Sequence, residues 1–255
     1  MLRHRFLFEQ MVRRELRQKY KGSTLGVLWY LINPLVLMGA YYLMFGVIFD
    51  QASEPDYPLF LLVGLVVWVF FNQAVMSAAP SLLDQGALVR KARFPREIIP
   101  ASVVTVQLVT FLALIVLLAP ITIAIRGSFD VALLLLPLVL ACLFAFILGF
   151  ALAVSILHAY FRDVAPILSA ALLPWFFMSP IFFRPESITE QETARFVLEW
   201  VNPIAPFIGA VRDVLYGGVV PGGAELAYVV LAAALALAGG HALFRRLQGE
   251  LAVVV

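Results

Sequence analysis

The chain has 255 residues, 63% hydrophobic and 13% charged, with a formal net charge of +2 and a mean hydropathy of +0.97. A soluble domain carries about 45–50% apolar and about 25% charged residues, so this composition excludes an ordinary water-soluble fold. The single cysteine, Cys142, excludes an intrachain disulfide and a cysteine metal cluster.

Residues 3–20 are predicted to form a surface helix. Leu7, Phe8, Met11, Val12 and Leu16 share one arc, with Arg3, Glu9, Arg13, Arg14 and Arg17 opposite, while Arg5, Glu15 and Lys19 blur the pattern. Such a cationic amphipathic helix lies in the headgroup plane, or serves only as a topological anchor. The opening stretch MLRHRFLFEQMVRRELRQKYKGS is too interrupted by charge to supply the apolar core of a cleavable signal.

Six runs without Asp, Glu, Lys or Arg follow, at 22–49, 57–83, 98–125, 131–161, 164–183 and 226–244. About 20 apolar residues cross the hydrocarbon core, so each run is long enough, the last marginally. Helices are the expected form, because lipid offers backbone groups no partner. The expected fold is therefore an all-α integral membrane protein with six transmembrane helices forming a single membrane unit. Its parts are an interfacial helix at 1–21, five spans within 22–183, an outer segment at 184–223 and a sixth span at 224–246. Six spans gather the N-terminus, loops 84–97 and 162–163, and the C-terminus on one side. That side holds fourteen of the 18 Lys and Arg residues, so the positive-inside rule makes it cytoplasmic, with both termini inside.

The first loop contains LVRKARFPREIIP (88–100), four cations and two prolines between apolar runs. A basic patch invites thoughts of nucleic acid, but cations are expected in any cytoplasmic loop. Phe94 and the prolines are what topology does not require. On the outer side, Pro203 and Pro206 break an apolar stretch at 204–216 that is too short to span and carries Arg212 and Asp213. It reads either as a re-entrant or interfacial helix or as a loop packed over the spans.

Catalytic signatures are absent from the sequence. Lys21-Gly22-Ser23-Thr24 is no phosphate loop, because its lysine precedes the glycine. His4, His158 and His241 are scattered and make no metal set; His158, near a span end, reads as a capping residue. The span centres carry no acid or base for ion coupling. Energy for any transport must then come from another polypeptide.

Several stretches together resemble the permease subunits of ABC exporters of lipid-linked polysaccharide, the O-antigen and teichoic-acid class. They are RQKYKGSTLGVLWYLINP (17–34), LVRKARFPREIIP (88–100), YFRDV (160–164), SPIFF (179–183), and Asn202-Pro203 followed by Arg212 and Tyr216-Gly217-Gly218. The tail from 246 onward fits no motif. The resemblance implies a homodimer in the bacterial cytoplasmic membrane, bound by two copies of a separate ATPase subunit that holds ATP and Mg. No cofactor, metal, catalytic residue or nucleic acid belongs to this chain. The implied ATPase-docking element is 84–97, with Leu88, Arg90, Lys91, Arg93, Phe94 and Arg96, aided by Arg162 and Asp163. Ala87, Leu88 and Phe94 would be its apolar knob and the cations its rim.

The implied cargo is an undecaprenyl-pyrophosphate-linked glycan taken from the inner leaflet. Arg14, Arg17, Lys19 and Lys21 are best placed to meet its pyrophosphate, or else bulk anionic lipid. Aromatic faces suit a sliding sugar chain, and Trp29, Tyr30, Tyr41, Tyr42, Phe45, Trp175, Phe176 and Phe177 are the candidate lining. Packing or interfacial belts are the alternative for these rings. Asn202, Pro203, Arg212 and Tyr216 belong to the implied outer gate. The rival functions are an ABC exporter of a drug or small lipid, an integral-membrane transferase acting on polyprenyl-linked sugar, and an ion-coupled lipid carrier. The transferase would need an acid or histidine constellation, for which His158 with Asp163 or Arg96 with Glu97 is sparse.

Overall fold

The computed structural model describes residues 5–20, 29–48, 56–91, 94–188 and 191–251. Lys21 and Arg93 lie outside the described residues, as do the side chains of Tyr20, Tyr30, Leu31 and Lys91. All regular structure among the described residues is helical. In chain order the helices are α1 (Arg5–Tyr20), α2 (Trp29–Tyr41), α3 (Tyr57–Ala78), α4 (Ser81–Asp84), α5 (Gly86–Lys91) and α6 (Ile98–Arg126). They continue as α7 (Leu136–Tyr160), α8 (Val164–Phe177), α9 (Glu192–Phe196), α10 (Ala205–Arg212) and α11 (Gly223–Leu247).

Four helical segments are long and apolar enough to cross a membrane: Tyr57–Ala78, Ile98–Arg126, Val131–Tyr160 and Gly223–Leu247. The first and fifth apolar runs yield shorter helices, Ile32–Ile48 and Val164–Phe177. Proline marks both. Pro34 lies inside α2, which passes into a π-helical stretch at Tyr42–Ile48. Pro174 lies inside α8, which ends after 14 residues, about 21 Å of rise.

α3 is the hub. It is apolar on every side, and its residues from Phe60 to Phe71 are largely buried, as a helix hydrophobic all round must be. α2, α6, α7, α8 and α10 all pack on it. α10 is buried too: Phe207, Ile208, Ala210 and Val211 have no exposed surface, and the helix inserts among α3, α7 and α11. The stretch after α9 therefore enters the bundle rather than lying over it.

A second, separate hydrophobic cluster fills the cation-rich end. Met11 of α1, Leu82, Val89, Ile98, Ile156, Phe244 and Leu251 form it, with Leu7, Phe8, Leu88 and Phe94 packed against it. The apolar arc of α1 thus faces protein, chiefly α6, while Arg13 pairs with Glu9 at 2.5 Å on the exposed side.

α7 and α11 make the most extensive helix pair, and glycine permits it. A Cβ on Gly149 would lie 2.2 Å from the Ala236 backbone, and one on Gly240 2.0 Å from the Gly149 carbonyl oxygen. Small residues let two backbones meet where lipid gives helices no hydrophobic reason to associate. Gly149→Ala or Gly240→Ala should cost about 1–3 kcal/mol through overpacking. Gly239→Ala, which has open space around its Cα, serves as the control. Thermal unfolding in detergent is expected to drop for the first two and hold for the third.

Candidate functional site

A groove of about 320 Å³ opens between α2, α3 and α8. One face of α3 builds its floor: Leu65, Trp68, Val69, Asn72, Gln73 and Met76 recur at helical spacing. α2 adds Asn33 and Tyr41, and α8 adds Ser169 and Phe176. Asn33 and Ser169 are exposed, and Asn72 and Gln73 half-buried, so amides and a hydroxyl line an otherwise apolar surface. Tyr41 lies 5.4 Å from Phe176, and Trp68 5.6 Å from it, ring centre to ring centre. Such a surface offers hydrogen bonds and the half-buried ring of Tyr41, with Trp68 and Phe176 largely buried beneath it, and its lining carries no fixed charge.

Of the aromatics singled out from sequence, Tyr41 and Phe176 line this groove. Phe45 packs on Phe182 at 4.6 Å, while Trp29, Tyr42 and Phe177 are exposed. Trp175 lies behind the groove among Trp68, Phe71 and Phe150, and its indole N–H donates to Asn202 Oδ1 at 2.8 Å. Trp68, Asn33, Asn72, Gln73 and Ser169 escaped the sequence reading, which weighed charge and counted amides as neutral. The signal was there: Trp68, Asn72 and Gln73 share a helical face inside an apolar run.

At the far end of α8, backbone carbonyls exposed by the helix's early stop are taken up by side chains. Asn202 Nδ2 donates to the Met178 carbonyl and to Ser179 Oγ. Arg212, only 3% exposed, donates to the Pro180 and Ile181 carbonyls at 2.8 and 3.0 Å. Its guanidinium lies 3.6 Å from the centre of the Phe60 ring, a cation–π contact. It also presses on α3, where a Cβ at Gly64 would come within 2.4 Å of Nη2. Tyr57 completes the set by donating to the Phe182 carbonyl at 2.8 Å. Tyr216 packs edge-on against Phe60, and Pro203 follows Asn202 at the turn into α10. Nearby, burial pushes the Asp213 carboxyl up and Arg184, 3.8 Å away, pulls it back down.

At the cation-rich end, Arg90, Arg162 and Asp163 are exposed. Phe94 is half-buried against the second cluster, as is Leu88, so neither projects as a free knob. The exposed ring here is Phe161, 65% exposed beside Arg162. Arg96 donates to the Gln248 carbonyl, and Tyr160 O–H to the Leu247 carbonyl at 2.5 Å. Both candidate loops are thereby tied to the C-terminal end of α11, at Leu247 and Gln248. His158 Nδ1 accepts the Ala165 N–H at 3.3 Å, which caps the start of α8. On α1, Arg14 and Arg17 are exposed. Lys19, although exposed overall, donates its ammonium to Gln107 Oε1, and burial there lowers its pKa to about 8.

The fold is a bundle of helices, four of them long and apolar enough to cross a membrane, with an amide-lined groove between α2, α3 and α8. The chain belongs to the ABC-2 type transporter family, whose model matches residues 7–216. It is a multi-pass protein of the inner membrane. It is 30% identical over 249 residues to the O-antigen export system permease protein RfbA of Myxococcus xanthus, covering 98% of this chain and 95% of that one. Its identity to the RfbA permease of Klebsiella pneumoniae is 28% over 225 residues, covering 84% and 83%. To the polysialic acid transport protein KpsM of Escherichia coli it is 27% over 245 residues, covering 93% and 92%.

Arg212→Ala should destabilise the fold by about 2–4 kcal/mol, since two buried carbonyls lose a charged donor. Arg212→Lys should recover only part of this, because a lysine lacks the planar fork that spans two acceptors. Unfolding temperatures of the purified variants check both.

Proposed function

We propose that this chain is the transmembrane subunit of an ATP-driven exporter of undecaprenyl-pyrophosphate-linked polysaccharide, working as a homodimer with two ATPase subunits that hold ATP and Mg. The groove between α2, α3 and α8 carries the reading. Polar side chains facing bare lipid would be costly, so the amides of Asn33 and Asn72 and the hydroxyl of Ser169 call for a water-filled path or a second copy of the chain across the groove. Aromatic faces beside them suit sugar rings, which stack through C–H surfaces while hydroxyls exchange hydrogen bonds with amides. In this topology α2 and α8 are the first and fifth of six crossings, and both termini are cytoplasmic.

The ATPase engages residues 84–97, with Leu88, Arg90, Lys91, Arg93, Phe94 and Arg96, and the loop carrying Arg162 and Asp163. Their ties to the end of α11 make the two loops move together. Arg14 and Arg17, exposed on α1, with Lys19 and Lys21, are the cations nearest an entering pyrophosphate. The segment that follows α8, gathered by Asn202, Pro203, Arg212 and Tyr216, is the outer gate. An exporter of a drug or small lipid would need no amide-lined groove. A transferase would need an acid–histidine pair, and His158 is engaged in capping α8.

Asn72→Leu combined with Tyr41→Ala is expected to cut polysaccharide export by about tenfold or more at unchanged protein level, loss of two contacts of ~1 kcal/mol each being sufficient. Val116→Ala, on the outward face of α6 and 73% exposed, should export normally. Normal export by the double variant removes the groove from the pathway. Charge reversal at Arg90, Lys91 and Arg93 is expected to abolish export while the protein still inserts. Surface glycan and membrane-fraction immunoblots report the two separately.

A further inference from the structure

Arg126 ends α6 at the end of the bundle opposite the cation-rich one. Gly127, at φ 73°, closes the helix in the left-handed region and turns the chain back. This brings Asp130 beside the arginine, with Arg126 Nη1 3.0 Å from Asp130 Oδ2. Ser128 Oγ donates to the same carboxylate oxygen at 3.2 Å, and the Asp130 carbonyl accepts the Leu133 N–H at 3.1 Å. The carboxylate is thus held in place by its own loop.

The turn that follows α10 covers this pair. Residues Asp213–Gly217 form a π-helical stretch, and the N–H groups of Gly218 and Val219 both donate to the Asp213 carbonyl. Gly218 adopts φ 65°. Its Cα rests on the ion pair, so that a Cβ there would collide with both Arg126 Nη1 and Asp130 Oδ2. Glycine meets both demands, a left-handed backbone and a bare Cα. The second glycine of Tyr216-Gly217-Gly218 therefore has a structural reason.

The seat beneath it is a poor one. Nε, Nη1 and Nη2 of Arg126 are all buried, and none finds a hydrogen-bond partner among the described residues. Asp130 lies at ion-pair distance without the alignment of a hydrogen bond. A guanidinium carries five N–H donors, and leaving them buried and unfilled costs more than one ion contact returns. That cost exists only while the turn is down, because lifting it would return the guanidinium to water. Gly217, Val219 and Val220 are already exposed, whereas α10 is buried among its neighbours. The pair looks like a bridge that holds the turn, yet its energetics oppose closure.

We propose that Arg126 and Asp130 form a destabilised seat from which residues 213–219 lift as a local unit while α10 stays packed. On the exporter reading this is the part of the outer gate that yields first, but the seat itself stands without that reading.

Hydrogen–deuterium exchange of the full-length protein in lipid nanodiscs, read by mass spectrometry on peptides covering 205–212 and 213–219, tests this. The second peptide should exchange at least about tenfold faster than the first. Arg126→Met keeps the aliphatic bulk and removes the unfilled donors, so it should slow exchange over 213–219 by about tenfold and raise the unfolding temperature. Asp130→Asn, which leaves the guanidinium without its counter-charge, should speed exchange over 213–219, and adding Arg126→Met should reverse that. Gly218→Ala should also speed it, since its Cβ has no room. Faster exchange and a lower unfolding temperature in Arg126→Met would make the pair an ordinary stabilising bridge and overturn the proposal. Equal exchange of the two peptides, or no change in exchange on Asp130→Asn, would overturn it too.

Discussion

A backbone that stops being helical at membrane depth must find donors and acceptors elsewhere, because hydrocarbon supplies none. Here that happens at the end of α8, where the chain turns through Met178–Phe183. Four carbonyls of this turn are met by side chains from three other places: Asn202 before α10, Arg212 at its end, and Tyr57 at the start of α3. Arg212 holds the centre of the arrangement. A guanidinium so fully buried is tolerated because two carbonyls and the face of Phe60 replace its water. The rest follows from it: α10 is drawn into the bundle, α8 is held short, and Trp175 is oriented by the same Asn202 that caps the turn.

The groove runs along α8 and α3, and the residues of α8 that line it, Ser169, Leu172, Leu173 and Phe176, all precede its end at Phe177. α2 passes into a π-helical stretch at Tyr42, and Tyr41 meets Phe176 of α8 at 5.4 Å, so the two helices that flank α3 touch at this end of the groove. The π-helical geometry widens a helix and is found where function needs an irregular wall. At the opposite end the logic is reversed. There a dedicated hydrophobic cluster, and the hydrogen bonds of Arg96 and Tyr160 to the end of α11, make a stiff block.

Much of this was legible in the sequence, and the reasons for what was not are physical. Uncharged runs and prolines mark the helices and their breaks, since hydropathy and missing backbone donors act locally. The apolar arc of α1 was readable too, although its partner, α6, is a tertiary fact. The motif around Arg212 was recognised as a pattern, while its work on Pro180 and Ile181 depends on a contact 31 or 32 residues distant. Sequence also cannot tell whether a ring such as Phe94 points outward or, as here, is half-buried against the second cluster. The tail beyond 246 fitted no motif, yet Leu251 is buried and the Leu247 and Gln248 carbonyls hold both loops. Backbone acceptors carry no sequence signature.

The choice of amides over charges in the groove has its own logic. A charge at mid-membrane depth costs several kcal/mol unless paired, and a paired charge fixes its ligand in one pose. An amide costs less to bury, both donates and accepts, and is satisfied by water when no ligand is present. If cargo passes along the groove as proposed, Asn33, Asn72, Gln73 and Ser169 would offer it several equivalent hydrogen-bonding positions rather than one charged site. A polymer can shift along such a surface by exchanging equivalent hydrogen bonds, whereas a single strong site would hold it. The absence of charge among the groove's lining residues is the property on which the proposed export of a polar chain rests.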